Sequence, residues 1–258
     1  THFVMGLLMQ DGGEHSAAIQ LLGRAIRMDP ERSDFHDALG VSQVSMGKHR
    51  EALRSFAEAV RMAPENRLAV MHLGLLTLRM GLPERALPRF ESLMSMGETS
   101  VELVCLRGQS LYLLERHIEA VDWLHKCLDL DPTHTDSIHY LGRSLMYVGR
   151  YSEATSCLRT IASSQPRNGR VRTLLGEALL RLGDLGEAEQ VLKDAIDLDH
   201  SQHQAHAHLA DVQAALGLTE EPLRSYLTAL RLRPHDLNYR CQLGFLLVQQ
   251  GYLAKAEH

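Results

Sequence analysis

Between positions 200 and 208 the sequence reads His-Ser-Gln-His-Gln-Ala-His-Ala-His, four imidazoles in a chain that has 15. Imidazole is the commonest protein metal ligand, and His203 and His206 stand three apart, a spacing that brings two rings to one helical face. A built zinc site needs four donors in a tetrahedron, and no carboxylate or thiol is forced into such a set here. Adventitious affinity for nickel or zinc is therefore expected, with no resident metal and no cofactor. The cysteines, at 105, 127, 157 and 241, show no CxxC spacing. They are too sparse for a disulfide scaffold and read as free thiols of a reducing compartment.

Nucleophilic and phosphate chemistry has no better footing. Ser, His, Asp and Cys are plentiful, yet there is no GxSxG, HExxH, Walker loop or dinucleotide glycine fingerprint, and no enzyme activity is expected from this segment. Lys and Arg total 27 against 32 Asp and Glu, a net charge of −5. That balance carries no footprint of a nucleic-acid or anionic-membrane binder. No window approaches a run of about eighteen uninterrupted apolar residues, so membrane insertion is not expected either, and with free thiols the expected location is the cytoplasm.

What positions these residues is a beat of 34. Glycine recurs at Gly6, Gly40, Gly74, Gly108, Gly142, Gly176 and Gly244, with Ala210 in the one missing place. A second glycine set runs Gly13, Gly47, Gly81, Gly149, Gly183, Gly217 and Gly251, with Glu115 in its gap. Alanine follows at Ala18, Ala52, Ala86, Ala120, Ala154, Ala188 and Ala256, broken by Pro222, and proline closes units at Pro30, Pro64, Pro132, Pro166 and Pro234, replaced by Glu98 and His200. The first glycine lies inside an apolar helical run, where a missing side chain admits a second helix at close range. The second glycine breaks the pattern as a left-handed helix terminus does. The alanine opens a second amphipathic run, and the proline stops it. Each unit therefore reads as helix, turn, helix, turn. Pro83 and Pro88 in the unit 67–100 predict local irregularity, with a kink at Pro88; Pro222 sits in a first turn, where it costs little.

The spacing Leu39-Gly40, Ala52, Phe56, Ala59, Pro64 resembles the tetratricopeptide repeat. The resemblance covers the chain as a single array: full repeats at 33–66, 67–100, 101–134, 135–168, 169–202 and 203–236, with partial repeats at 1–32 and 237–258. It implies an all-α, right-handed superhelical solenoid of antiparallel helix-turn-helix units whose first helices line a concave groove. It also places the opening histidines. His206 shares a slot with His2, His36, Val70, Val104, Ile138, Arg172 and Arg240, so an imidazole there is a recurrent packing choice. His200 falls in an inter-repeat turn, His203 starts a helix, and His208, in the column of His72, faces the groove.

The inward stripe of the central repeats includes Met71, His72, Leu75 and Arg79; Gln109 and Tyr112; His139, Tyr140, Arg143 and Tyr147. Arg150 and Arg181 add positive rim charge. Aromatic, methionine and arginine side chains are the classes enriched at interface cores. The expected function is a non-catalytic protein-interaction scaffold holding a peptide that carries apolar anchors and acidic residues. The alternatives are the substrate-recruiting arm of a larger enzyme, such as a glycosyltransferase or sulfotransferase, and a homotypic assembly scaffold. Asn66, Asn168 and Asn238 stand at or near unit boundaries, which does not suit a carboxylate clamp of Lys and Asn. Leu243, Phe245, Leu246, Leu247 and Leu253 lack a polar capping helix, so weak end-to-end association is expected.

Overall fold

The computed structural model describes residues 1–249 and 251. Its described residues form helices α1 to α15 and no strand, an all-α repeat solenoid in which, within each of two units, each helix packs on its sequence neighbours. They fall into two compact units, one up to Asp131 and the other from Pro132 onward. The first unit holds α1 (His2–Asp11), α2 (His15–Met28), α3 (Ser33–Ser45), α4 (His49–Met62), α5 (Arg67–Arg79), α6 (Pro83–Ser95), α7 (Val101–Leu113) and α8 (His117–Leu130). The second holds α9 (Thr135–Val148), α10 (Tyr151–Ser164), α11 (Gly169–Leu182), α12 (Leu185–Leu198), α13 (His203–Ala215), α14 (Glu220–Leu232) and α15 (Leu237–Gln249). Ala256 and Leu253 of the repeat pattern lie outside the described residues.

The first glycine of each unit is a contact glycine. A Cβ added at Gly40 would stand 2.5 Å from the Phe56 ring, at Gly74 2.6 Å from Phe90, at Gly108 2.8 Å from Leu124 and at Gly176 2.4 Å from Leu192 Cγ. Each partner is a buried residue of the second helix of the same hairpin, so two backbones approach as closely as this packing requires. The alanines at 18, 52, 86, 120, 154 and 188 are fully buried on the same interface.

The second glycine makes the turn. Gly47, Gly81, Gly149, Gly183 and Gly217 all have φ between 72 and 89°. The residue after each closes a bond five residues back, as in Lys48 N–H to Gln43 O at 2.8 Å and Arg150 N–H to Leu145 O at 2.8 Å, the Schellman ending. Glu115 takes the same left-handed conformation, φ 59°, without being glycine.

The repeat 67–100 carries both of its prolines in α6. Helix α6 runs unbroken from Pro83 through Pro88 to Ser95, with Pro83 in its first turn. Pro88 lies on the exposed side, where solvent is at hand for the carbonyl that loses its helical partner. The irregularity is at the end of the helix, where Gly97, at φ 84°, makes the turn in place of a proline. Pro222 sits in the first turn of α14 and is buried.

First helices start on a recurrent cap. Asn66, Ser100, His134 and Asn168, spaced by 34, each accept a hydrogen bond from the backbone N–H three residues on, at 3.2 to 3.4 Å. This satisfies one orphan donor of each helix and gives Asn66 and Asn168 a structural role. No described helix is long and apolar enough to cross a membrane.

Candidate protein-binding face

Three of the four clustered histidines turn their rings to separate partners, and the fourth, His200, contributes its carbonyl. His206 Nε2–H donates to the His200 carbonyl at 3.2 Å, His203 Nδ1 is hydrogen-bonded to the Tyr239 hydroxyl at 2.8 Å, and His208 Nε2 stands 3.5 Å from Glu177. The His206 slot repeats this task. His36 Nε2–H donates to Pro30 O at 3.1 Å, Arg240 to Pro234 O at 2.6 Å, and Arg172 to Pro166 O. In each case a side chain reaches six residues back and satisfies a carbonyl of the inter-repeat turn. Val70, Val104 and Ile138 fill the same slot as buried aliphatics. Burial lowers the His206 pKa against the raising effect of its carbonyl bond.

In the first unit the stripe residues divide. His72, Leu75 and Arg79 line a hollow of about 170 Å³ with Val41, Val44 and Phe56. His72 Nδ1 lies 2.8 Å from Asp37 Oδ1, and its ring centroid is 5.3 Å from that of Phe56. Met71 instead packs against the Val70–Phe90–Leu93 core. Gln109 and Tyr112 are half-buried on α7, the Tyr112 ring 5.5 Å from His117.

In the second unit the first helices form two adjoining hollows, of about 390 and about 360 Å³, which share Arg143, Leu174 and Glu177. Met146, Tyr147, Tyr151 and Arg181 complete one. The other adds His139, Arg170, Thr173, Gln202, His203 and His208. Tyr147 is 63% exposed. Tyr140 lines neither hollow; it is half-buried, edge-on to His139 at 5.7 Å between centroids. Arg150 also lies outside them and pairs with Glu153 at 2.5 Å at the start of α10. Burial and then Arg143 lower the His139 pKa, and burial and then Arg233 lower that of His203. The imidazoles are thus disfavoured as cations beside positive neighbours. Asp199 is held below the ordinary carboxylate range by hydrogen bonds from the Ser201 hydroxyl and backbone N–H.

Leu174, Glu177, Arg170 and Thr173 were not among the expected site residues. Leu174, Glu177 and Thr173 stand 34 beyond Tyr140, Arg143 and His139, so carrying the stripe one repeat further finds them; Arg170 stands 34 beyond Asp136, outside the stripe. Val41, Val44 and Phe56 give no such signal, because their pattern is that of core.

The expectation of four free thiols is corrected. Cys105 of α7 and Cys127 of α8 form a disulfide, with Cα atoms 5.3 Å apart. Their spacing of 22 matches no short cysteine motif, and the hairpin alone brings them together. Cys157 is a half-buried free thiol whose pKa burial pushes up to about 11, and Cys241 is free and exposed.

Comparison with known proteins agrees with this architecture. The family model for the tetratricopeptide repeat matches residues 38–93 and 141–205, and that for anaphase-promoting complex, cyclosome, subunit 3 matches 79–161. Among solved structures, MamA residues 41 to the end from Desulfovibrio magneticus RS-1 is similar at 23% identity and TM-score 0.61, over 67% of this chain and 98% of that one. The C-terminal part of a TPR repeat-containing protein from Cytophaga hutchinsonii is similar at 13% identity and TM-score 0.71, over 92% and 97%. The hetero-tetramer Cut9–Hcn1 of the APC/C is similar at 16% and 0.66, over 93% of this chain and 47% of that one. These likenesses bear on the fold. No curated protein matches by sequence. The molecule is an all-α solenoid of the protein-interaction kind. The chain carries tetratricopeptide repeats.

Proposed function

We propose that the chain is a non-catalytic scaffold that binds an extended peptide on the first-helix face, and that in the second unit the peptide lies along the two hollows meeting at Arg143. The observation that carries this reading is the shared wall of Arg143, Leu174 and Glu177, which makes one continuous site of two cavities. Apolar surface from Met146, Leu174 and the largely exposed Tyr147 suits aliphatic anchors. Arg143, Arg170 and Arg181 outnumber Glu177 and Asp199, and Asp199 is already satisfied by Ser201, so the favoured peptide is acidic. In the first unit the smaller hollow beside Phe56 and Leu76, with Arg79 at its edge, accommodates one apolar side chain. The open, hairpin-built walls support binding rather than catalysis, which needs a reacting group enclosed and held by a supporting shell.

The test is fluorescence anisotropy with a labelled peptide of alternating leucine and glutamate, against the same peptide with lysine for glutamate. Arg143→Glu and Tyr147→Ala are each expected to weaken the acidic peptide by tenfold or more, an interface anchor being worth upwards of about 1.4 kcal/mol. Equal affinity for the two peptides, or full affinity in both variants, removes the reading.

A further inference from the structure

The Cys105–Cys127 pair sits where the repeat itself brings two slots together. Position 127 belongs to the beat of Ala25, Ala59, Ala195 and Ala229, with Leu93 and Ile161, all buried. Position 105 belongs to the beat of Met71, His139, Thr173 and Ala207. In the equivalent hairpin α5–α6 the residues at these two slots, Met71 and Leu93, share one core cluster. Both slots hold cysteine in hairpin α7–α8 alone among the described repeats. A Cα separation of 5.3 Å lets the bond close without moving backbone. Both residues are buried, Cys105 6% exposed and Cys127 0%. Val101, Val104, Met94 and Trp123, the chain's one tryptophan, surround them.

We propose that this pair is a thiol–disulfide lock on a single repeat: oxidised, it ties α7 to α8; reduced, it leaves two small apolar side chains in contact and a hairpin that opens more readily. Closure forms one Sγ–Sγ bond. The two thiols lose two protons and two electrons to a low-molecular-weight disulfide RSSR, which leaves as two RSH after a mixed-disulfide intermediate; a dithiol reductant reverses the reaction. Neither sulfur is exposed, so exchange in either direction waits on local opening of the hairpin, and the lock responds slowly to the redox poise around it. The bond spans 22 residues and constrains the open form of this hairpin alone. Gln109 and Tyr112, on the same helix as Cys105, are held with it. Cys157, its thiol pushed up by burial, and the exposed Cys241 stay outside the lock.

The experiment compares the chain incubated with oxidised glutathione and then with dithiothreitol. The readouts are thiol alkylation after denaturation, Trp123 fluorescence, and hydrogen–deuterium exchange of segments 101–113 and 117–130. Oxidised protein is expected to show two alkylatable thiols and reduced protein four. Amides of α7 and α8 should exchange more slowly when oxidised, on the order of 10²-fold by the chain-entropy scale for a loop of this size, with α3 and α4 unchanged. Cys127→Ala, which installs the residue four other repeats carry at this slot, is expected to fold and to lose all response of α7–α8 to reductant. Four alkylatable thiols after oxidised glutathione would overturn the proposal, as would exchange in α7–α8 that ignores dithiothreitol.

Discussion

Gly176→Ala tests whether the contact glycines set the helix spacing. Alanine is worth about 1 kcal/mol over glycine in a helix interior, so propensity alone makes this substitution stabilising. The new Cβ, however, would stand 2.4 Å from Leu192 Cγ, where carbon atoms prefer about 3.5 to 4.0 Å. More than an ångström must be found. Leu192 is fully buried, and its Cγ leaves this place only by a change of χ1, which the close-packed surroundings oppose, so α11 must move away from α12. Overpacking of this kind costs about 1 to 3 kcal/mol. At its upper end, after the propensity gain, the net loss is about 2 kcal/mol. Leu192→Ala costs about 3 kcal/mol for the cavity it leaves. In that background the obstruction is gone and the added methyl enters the vacated space, so Gly176→Ala should reverse sign and stabilise. The double variant should then be more stable than Leu192→Ala alone, with a coupling near 3 kcal/mol against additivity. Urea denaturation followed by circular dichroism measures the totals. Hydrogen exchange in α11 and α12 localises the effect, since repeat arrays need not unfold as one unit. The same destabilisation by Gly176→Ala in both backgrounds would refute the packing argument.

Two further outcomes follow from the backbone and from the buried imidazoles. Glu115 holds a left-handed conformation that costs a side-chain-bearing residue about 1 to 2 kcal/mol. Glu115→Gly should therefore raise stability by about 1 kcal/mol once the greater entropy of the unfolded glycine is subtracted, and an unchanged or lower thermal midpoint counts against this. Burial lowers the pKa of His117, His139, His203 and His206. The unfolded chain, titrating near 6.5, binds more protons than the folded one below that pH, so stability is complete above about 6.5 and declines as pH falls toward the folded values. Glu58, Glu119 and Asp199, all lowered, titrate further down and do not enter this window. The denaturation midpoint should thus drop between about pH 7 and 5.5, and His139→Gln should flatten that slope.

The parts legible in the sequence are those the backbone fixes regardless of neighbours. A left-handed turn asks for glycine wherever it falls, so Gly47, Gly81, Gly149, Gly183 and Gly217 announced the hairpins, and Gly40 or Gly74 marked the near contact with a ring sixteen residues on. The face of the hollows was legible in part. Arg143, Tyr147, His139 and Arg181 line cavities, whereas Tyr140 and Arg150 do not. A stripe drawn at helical spacing gives the direction of Cα–Cβ bonds but not whether a neighbour already covers the side chain. Arg150 shows the difference, since its charge is met by Glu153 on the next turn.

Slots that accept two physical solutions were illegible for a separate reason. The position shared by His36, Arg172, His206 and Arg240 holds a donor that reaches the turn carbonyl six residues back, whereas Val70, Val104 and Ile138 fill the same position as buried aliphatics. Spacing therefore located His206 but could not say that its ring points back along the chain to the His200 carbonyl. The cysteines follow the same logic in reverse. Position 127 tolerates Ala, Leu, Ile or Cys as apolar filling, and nothing about Cys127 by itself distinguishes filling from bonding. The distinction arises when the facing slot also carries sulfur, and that pairing is a property of the hairpin rather than of either residue. A repeat array thus holds its structural content in single columns and its covalent content in pairs of columns, and the α7–α8 pair is where the second kind occurs.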